Sequence, residues 1–257
     1  MNNRRNVEIV DIKQLSSDVF SMWVKDEEIA SNGKPGQFAS LYCNNETRLL
    51  PRPISICEIN KDEGLVRFVY RVVGKGTKEF SELKVSDRIN ILGPIGDGFN
   101  LEGKNVLVVG GGIGIPPLLE LSKHLDGKKH IILGYRDEVF LDDEFKQYGD
   151  VYVSTEDGSS GTKGNVIDAI VANKLLEDNE IDMIFACGPT PMLRGLKDFA
   201  NKNGIKAQIS LEERMACGVG ACLSCVCKTK EKDHHTHVHN TRICKEGPVF
   251  YANEVEI

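Results

Sequence analysis

The stretch Asn105-Val-Leu-Val-Val-Gly-Gly-Gly-Ile-Gly-Ile-Pro-Pro117 decides the fold. Residues 106 to 109 are an unbroken run of apolar side chains, the pattern of a strand buried on both faces in a parallel sheet. The run empties into glycines and then into Pro116 and Pro117, which suit the first positions of a helix because the N–H groups they lack would be unpaired there in any case. Leu118, Leu121 and Leu125 continue that helix. Strand, glycine turn and helix in this order let the phosphates of a dinucleotide approach backbone amides, so Gly110, Gly112 and Gly114 are candidate contacts. A glycine at 114 followed by Ile115 departs from the G-x-G-x-x-G spacing of a standard Rossmann turn, and packing alone is the competing role for these glycines.

On the C-terminal side, further strands are expected at HIILGY, VYVST, MIFACG and AQIS, with helices at about Val166 to Leu176 and Pro191 to Asn203. Buried strands alternating with helices imply half of a doubly wound parallel-sheet domain over residues 101–210. The turn Cys187-Gly188-Pro189-Thr190-Pro191-Met192 ends one of those strands and is either a nicotinamide-side contact or a proline-capped connection. Asp137 and Glu138 follow HIILGY, where a carboxylate accepts from ribose hydroxyls and disfavours a 2′-phosphate, which points to NAD over NADP.

On the N-terminal side, residues 1–100 read as short strands, VEIVDIKQL, VFSMWVK, QFASLYC, RPISICEI, LVRFVYRVV and RINILG, separated by Asn32-Gly33, Pro35-Gly36 and Asp62 to Gly64. That spacing predicts an antiparallel barrel, with one helix at about Thr77 to Leu83 after Gly74 and Gly76. Arg52-Pro53-Ile54-Ser55, Val69-Tyr70-Arg71 and Gly76-Thr77 all fall on it. An arginine and a small hydroxyl on one strand can hold a pyrophosphate, and the amides opening the helix offer a second anion site. Taken singly, Arg52 also reads as a surface charge and Ser55 as an ordinary strand residue.

Composition excludes several classes of function. The 257 residues are 40% apolar, 27% charged and 7% aromatic, as in soluble globular proteins, and a net charge of −6 argues against a nucleic-acid or anionic-membrane partner. The N-terminus MNNRRNVEIVDIK has no apolar signal region, and the apolar stretch from Val106 to Leu119 is interrupted by glycines and too short to span a bilayer. A cytoplasmic location is therefore expected.

Five of the eight cysteines, Cys217, Cys222, Cys225, Cys227 and Cys244, cluster in residues 211–257, and Cys43, Cys57 and Cys187 are scattered. Cys217-Gly-Val-Gly-Ala-Cys222-Leu-Ser-Cys225 with a distant Cys244 has the C-x4-C-x2-C…C spacing of plant-type [2Fe–2S] sites. Gly218 and Gly220 let the loop fold tightly around a cluster. Zinc is the rival, although four-cysteine zinc sites normally use two close pairs rather than a triple plus one. Cys227 has no place in a four-ligand site and reads as a small buried residue. The run His234-His235-Thr236-His237-Val238-His239 reads as a solvated surface loop rather than a metal site.

The order of these parts, RPIS barrel, GGGIGIPP turn, CGPTPM turn and LEERMACGVGACLSCVC before GPVF, resembles the ferredoxin-reductase superfamily, and across nearly the whole length the electron-transfer subunits of type B, NAD-dependent dihydroorotate dehydrogenase. The resemblance implies FAD at Arg52 to Ser55, Val69 to Arg71, Gly76 and Thr77, and NAD at Gly110, Gly112, Gly114, Cys187, Gly188 and Pro189. It also implies a [2Fe–2S] cluster on Cys217, Cys222, Cys225 and Cys244, and no acid–base residue for dihydroorotate on this chain. The implied partner is an FMN-containing catalytic subunit in a heterotetramer of two copies of each, with electrons running from FMN through the cluster and FAD to NAD+ in pyrimidine biosynthesis. Two alternatives stand beside it. One is a related subunit of an NADH-dependent ferredoxin:NADP+ oxidoreductase or sulfide dehydrogenase, relatives in which one cluster ligand is aspartate. The other is a zinc-stabilised binding module.

Overall fold

The computed structural model describes residues 3–177, 180–232 and 237–257. Strands β1 (Arg5–Gln14), β2 (Val19–Lys25), β3 (Phe38–Tyr42), β4 (Arg52–Asn60), β5 (Leu65–Arg71) and β6 (Arg88–Ile95) close an antiparallel barrel in the order β1-β2-β5-β4-β3-β6. Closure removes the free edges an open sheet would expose. Side chains alternate across the wall, so Ile9, Met22, Leu41, Ile56, Phe68 and Ile91 fill the interior.

The barrel carries two helices rather than the single one expected. Helix α1 (Glu27–Asn32) is capped by Asp26, whose carboxylate accepts the N–H groups of Glu28 and Ile29 at 3.1 Å each. Six residues are too few for a helical hydrophobic period to stand out, and only the Asp26 cap signals it in the sequence. Helix α2 (Lys75–Ser81) starts two residues before its expected position, with Gly74 as its N-cap.

The rest of the chain builds on β7 (Asn105–Gly111), in which Val106 to Val109 are fully buried. It continues through α3 (Pro117–His124), β8 (Lys128–Tyr135), α4 (Asp142–Phe145), β9 (Asp150–Thr155), β10 (Thr162–Lys163), α5 (Val166–Ala172), β11 (Met183–Cys187), α6 (Thr190–Asn203) and β12 (Lys206–Ser210). The tail adds β13 (Val226–Thr229), β14 (Asn240–Arg242), β15 (Val249–Tyr251) and β16 (Val255–Glu256). The large sheet runs β10-β9-β8-β7-β11-β12-β15, parallel except for β15, which pairs antiparallel with β12. Strand order reverses at β7, and the crevice beyond the strand ends at such a reversal is where α/β sheets bind ligands. No helix among the described residues is long and apolar enough to cross a membrane.

The two halves are bolted together. The buried Glu120 of α3 accepts the Ile59 N–H of β4 at 2.9 Å, and Lys123 donates to the Ile59 carbonyl at 2.7 Å. Arg67 of β5, almost fully buried, donates to Ser21 at 2.8 Å and pairs with Glu58 and with Glu144 of α4. The tail is anchored to both: Cys225, Ile243 and Cys244 share one apolar cluster with Phe38 and Ile95 of the barrel and Ile209 of the large sheet.

Candidate functional site

A cleft of about 340 Å³ opens where β4 and β5 part company. The two strands pair only from Ile56 and Phe68 inward. Beyond that point Arg52 to Ser55 pair with β3 alone and Val69 to Arg71 with β2 alone, which leaves a gap between them. Arg52, Pro53, Ile54, Ser55, Val69, Tyr70, Arg71 and Thr77 line it. Gly76 stands behind Arg52, so close that a Cβ there would overlap the guanidinium. The Thr77 hydroxyl accepts the N–H groups of Val73 at 3.0 Å and Gly74 at 3.3 Å, fixing the entry to α2. Tyr70 is wedged between Phe20 and Phe80, and burial pushes its phenol well above the usual range. Its hydroxyl is buried without a hydrogen-bond partner among the described residues, as expected where a bound ligand supplies one. A cation, hydroxyls and an aromatic wall suit a flavin dinucleotide. The opposite wall, Ser210 to Glu213 and Met215, escaped the sequence reading because nothing local marks a tail as folding back onto a barrel.

A second cleft, of about 200 Å³, lies at the strand-order reversal and is lined by Gly111, Gly112, Pro189 and Met192, with Arg136, Asp137 and Glu138 beyond the end of β8. Gly112 has φ +53° and only the Arg71 guanidinium near it, 3.9 Å from where a Cβ would stand, so it faces the cleft. Gly110 and Gly114 do not line this cleft. A Cβ at Gly110 would stand 2.8 Å from Ile115, and one at Gly114 would stand 2.5 Å from the Cys187 carbonyl and the Gly188 nitrogen. Their role in the structure is close packing, and the Gly114 contact is what brings the glycine turn against the Cys187-Gly188-Pro189 turn. Gly188 in turn packs on Met192 and Gly111. Cys187 is buried beneath the cleft rather than in its lining, with its thiol driven strongly upward by burial. Glu138 is occupied: it accepts the Ser17 N–H at 2.8 Å, and its bonds to Ser17 hold its carboxyl below the usual range. Arg71, oriented by Asp18 at 3.1 Å, lines both clefts.

The third part is the cysteine loop. Gly218 (φ +68°) and Gly220 (φ +81°) adopt the left-handed conformation that lets residues 217–222 curl inward. The Cys217 sulfur accepts the N–H groups of Val219, Ala221 and Cys222 at 3.3–3.4 Å. Burial works to raise its thiol, but these donors outweigh burial and bring it down to about 6. The Cys244 sulfur accepts the Gly220 N–H at 3.1 Å, and the Cys244 N–H donates to the Cys225 sulfur at 3.4 Å. Burial, and then the neighbouring Cys225, push the Cys244 thiol up to about 12. The Cys217 thiol neighbours that of Cys222, and the Cys244 thiol neighbours that of Cys225. Among the described residues no three Cys, His, Asp or Glu side chains stand arranged to hold a metal ion, so the loop places the four thiols near one another without closing them on a single centre. A nest of amides around thiolates stabilises their charge and tunes a cluster's potential. Cys227 lies on β13 opposite Thr241, half-buried, its thiol raised to about 11 by burial. Of the histidine run, residues 234–236 lie outside the described residues, and His239 bonds through its Nδ1 to the Lys230 carbonyl at 2.9 Å.

Residues 212–256 match the model of the iron–sulfur cluster binding domain of dihydroorotate dehydrogenase B. Over 256 residues the chain is 44% identical to the dihydroorotate dehydrogenase B (NAD(+)) electron transfer subunit of Fusobacterium nucleatum, covering 95% of each chain. It is 41% identical to that of Caldanaerobacter subterraneus over 249 residues, covering 96% of each. Among solved structures it is similar to the NADH-dependent reduced ferredoxin-NADP oxidoreductase, with TM-score 0.88 and 31% identity over 100% of this chain and 91% of that one. The ferredoxin reductase of carbazole 1,9a-dioxygenase shares the fold, with TM-score 0.67 at 21% identity over 79% of this chain and 66% of that one. With its flavin-type barrel, nucleotide crevice and cysteine loop in one body, and with identities of this size along its whole length, the chain belongs to the family of dihydroorotate dehydrogenase B electron transfer subunits.

Proposed function

We propose that this chain, an oxidoreductase subunit that transfers electrons to NAD+ in pyrimidine biosynthesis, holds FAD in the β4/β5 cleft and its [2Fe–2S] cluster on Cys217, Cys222, Cys225 and Cys244. Its catalytic partner carries the FMN that oxidises dihydroorotate, the assembly contains two copies of each subunit, and it works in the cytoplasm. We further divide the chain into a barrel (1–100), a nucleotide domain (101–210) and a cluster subdomain (211–257).

The observation that carries this reading is the contact between loop and barrel. A Cβ at Gly218 would stand 2.7 Å from the Ser40 hydroxyl of β3, and Ser40 pairs directly with Pro53 in the cleft wall. The cysteine loop therefore rests on β3, one strand away from the flavin cleft. When bound, the flavin supplies the conversion between single electrons from the cluster and a hydride for nicotinamide. The chain's own work is positioning. Arg52 and Tyr70 present a cation and a phenol to the flavin, Gly112 lets a dinucleotide approach the crevice, and Arg71 spans the wall between the clefts. The amides around Cys217 and Cys244 set the charge balance at the sulfurs.

The likeness to the ferredoxin-NADP oxidoreductase favours a second reading, in which ferredoxin replaces dihydroorotate as the electron source. The higher identity to the dihydroorotate dehydrogenase subunits, and cysteine at all four cluster positions, support the first. Co-expression with an FMN-containing dihydroorotate dehydrogenase subunit is expected to give one co-purifying complex that reduces NAD+ with dihydroorotate. Activity only with reduced ferredoxin would establish the second reading instead.

A further inference from the structure

Helix α2 touches both ends of the connection from β3 to β4. Arg52, where β4 begins, rests its guanidinium over Gly76, and its Nη1 donates to the Leu50 carbonyl. Glu79 lies three residues beyond Gly76, on the same side of the helix. Its carboxylate accepts the N–H of Asn44 at 2.6 Å and of Asn45 at 3.1 Å, and pairs with Arg48. Three charge-assisted contacts on one carboxylate are stronger than an ordinary surface pair. They hold the carboxyl below its ordinary range even though burial works in the other direction.

The connection needs such an anchor. Between Cys43, which is buried in the barrel core, and the buried Pro51, its apolar residues Leu49 and Leu50 are 82% and 55% exposed and grip no core. Apart from Glu79, Asn44 adds one bond to the Arg88 carbonyl at 3.0 Å, and Asn45 bonds within the loop to Thr47. The Arg52 backbone pairs with Leu41 of β3, and its guanidinium leans on the exposed part of a segment that is tied to α2 by Glu79.

We propose that Glu79 positions Arg52 for the diphosphate of the flavin dinucleotide, by pinning the β3–β4 connection to α2. This rests on the reading of the β4/β5 cleft as the FAD site. Nothing in the RPIS string reveals it, because Glu79 is 27 residues away and acts through loop geometry.

A double-mutant cycle on the full chain, freed of flavin and titrated with FAD by fluorescence quenching, tests it. Arg52→Gln and Glu79→Gln are each expected to raise the FAD dissociation constant by about tenfold, while Glu79→Gln in the Arg52→Gln background changes it less than twofold. If the two effects multiply independently, Glu79 is merely structural and the proposal falls. If Arg52→Gln weakens FAD and Glu79→Gln does not, the proposal alone falls. If Arg52→Gln leaves FAD affinity unchanged, the cleft reading falls with it. Should Glu79→Gln fail to fold, Arg48→Gln removes one of the three contacts and is expected to weaken FAD two- to threefold, again only when Arg52 is present.

Discussion

The flavin cleft and the cysteine loop lie on either side of β3, and they are made in opposite ways. The cleft is a gap between regular strands: β4 and β5 are each hydrogen-bonded to another neighbour where they separate, so its walls stand without a ligand. The cysteine loop has no regular structure from Leu211 to Cys225, and its shape is held by glycines at positive φ and amides aimed at sulfur. Paired backbone is self-supporting, whereas a loop organised around metal-ligating sulfurs gains stability from the ion those sulfurs bind.

The sharpest way to break this contrast is Cys222→Ser in the complex with the catalytic subunit. Dihydroorotate-driven NAD+ reduction is expected to fall on the order of 100-fold, with the iron–sulfur absorption bands lost and the flavin bands kept. A wild-type rate would place the cluster off the electron path. Removing iron from the wild-type chain comes next. Hydrogen exchange is expected to accelerate across residues 212–229 and 240–246 while the amides of β4 and β5 stay protected. Simultaneous loss of protection in the barrel would show that the two regions fold as one unit and would erase the distinction.

The smallest effect compares two glycines. Gly76→Ala drives a Cβ into the Arg52 guanidinium, the movable end of a long side chain, so FAD affinity is expected to drop several-fold with the melting temperature nearly unchanged. Gly218→Ala forces a side chain to φ +68° and against the buried Ser40 hydroxyl, and about 1–2 kcal/mol of stability is expected to be lost. Calorimetry and flavin titration on the same two variants separate these outcomes.

Much of the fold was legible because it depends on local pattern. Val106 to Val109 announce a strand buried on both faces, and the turn residues between residues 1 and 100 announce short antiparallel strands. Helix α1 was not legible because its six residues and one cap carry too little periodicity. Strand β15 was missed because three residues, Val249–Tyr251, become a strand only by pairing with β12. In the site, Arg52 to Ser55, Val69 to Arg71 and Thr77 are expected from the family resemblance rather than from residue type alone, and the structure brings them to one cleft. Gly111 and Arg136 line the second cleft with no local signal in the sequence, whereas Gly110 and Gly114 pack internally, because a string of glycines does not say which of them borders a cleft.

Residue type and spacing set the chemistry available: which thiols fall at cluster spacing, which turns are glycine-rich, and where apolar runs make strands. These follow from side-chain type and short-range periodicity, properties each residue carries with it. Long-range contacts alone bring the cysteine loop onto β3, Cys187 beneath the crevice at the strand-order reversal, and Glu79 to the connection before Arg52. Those contacts join residues far apart in the chain, and their geometry is set by how the barrel closes and where strand order reverses, which no local stretch of sequence encodes.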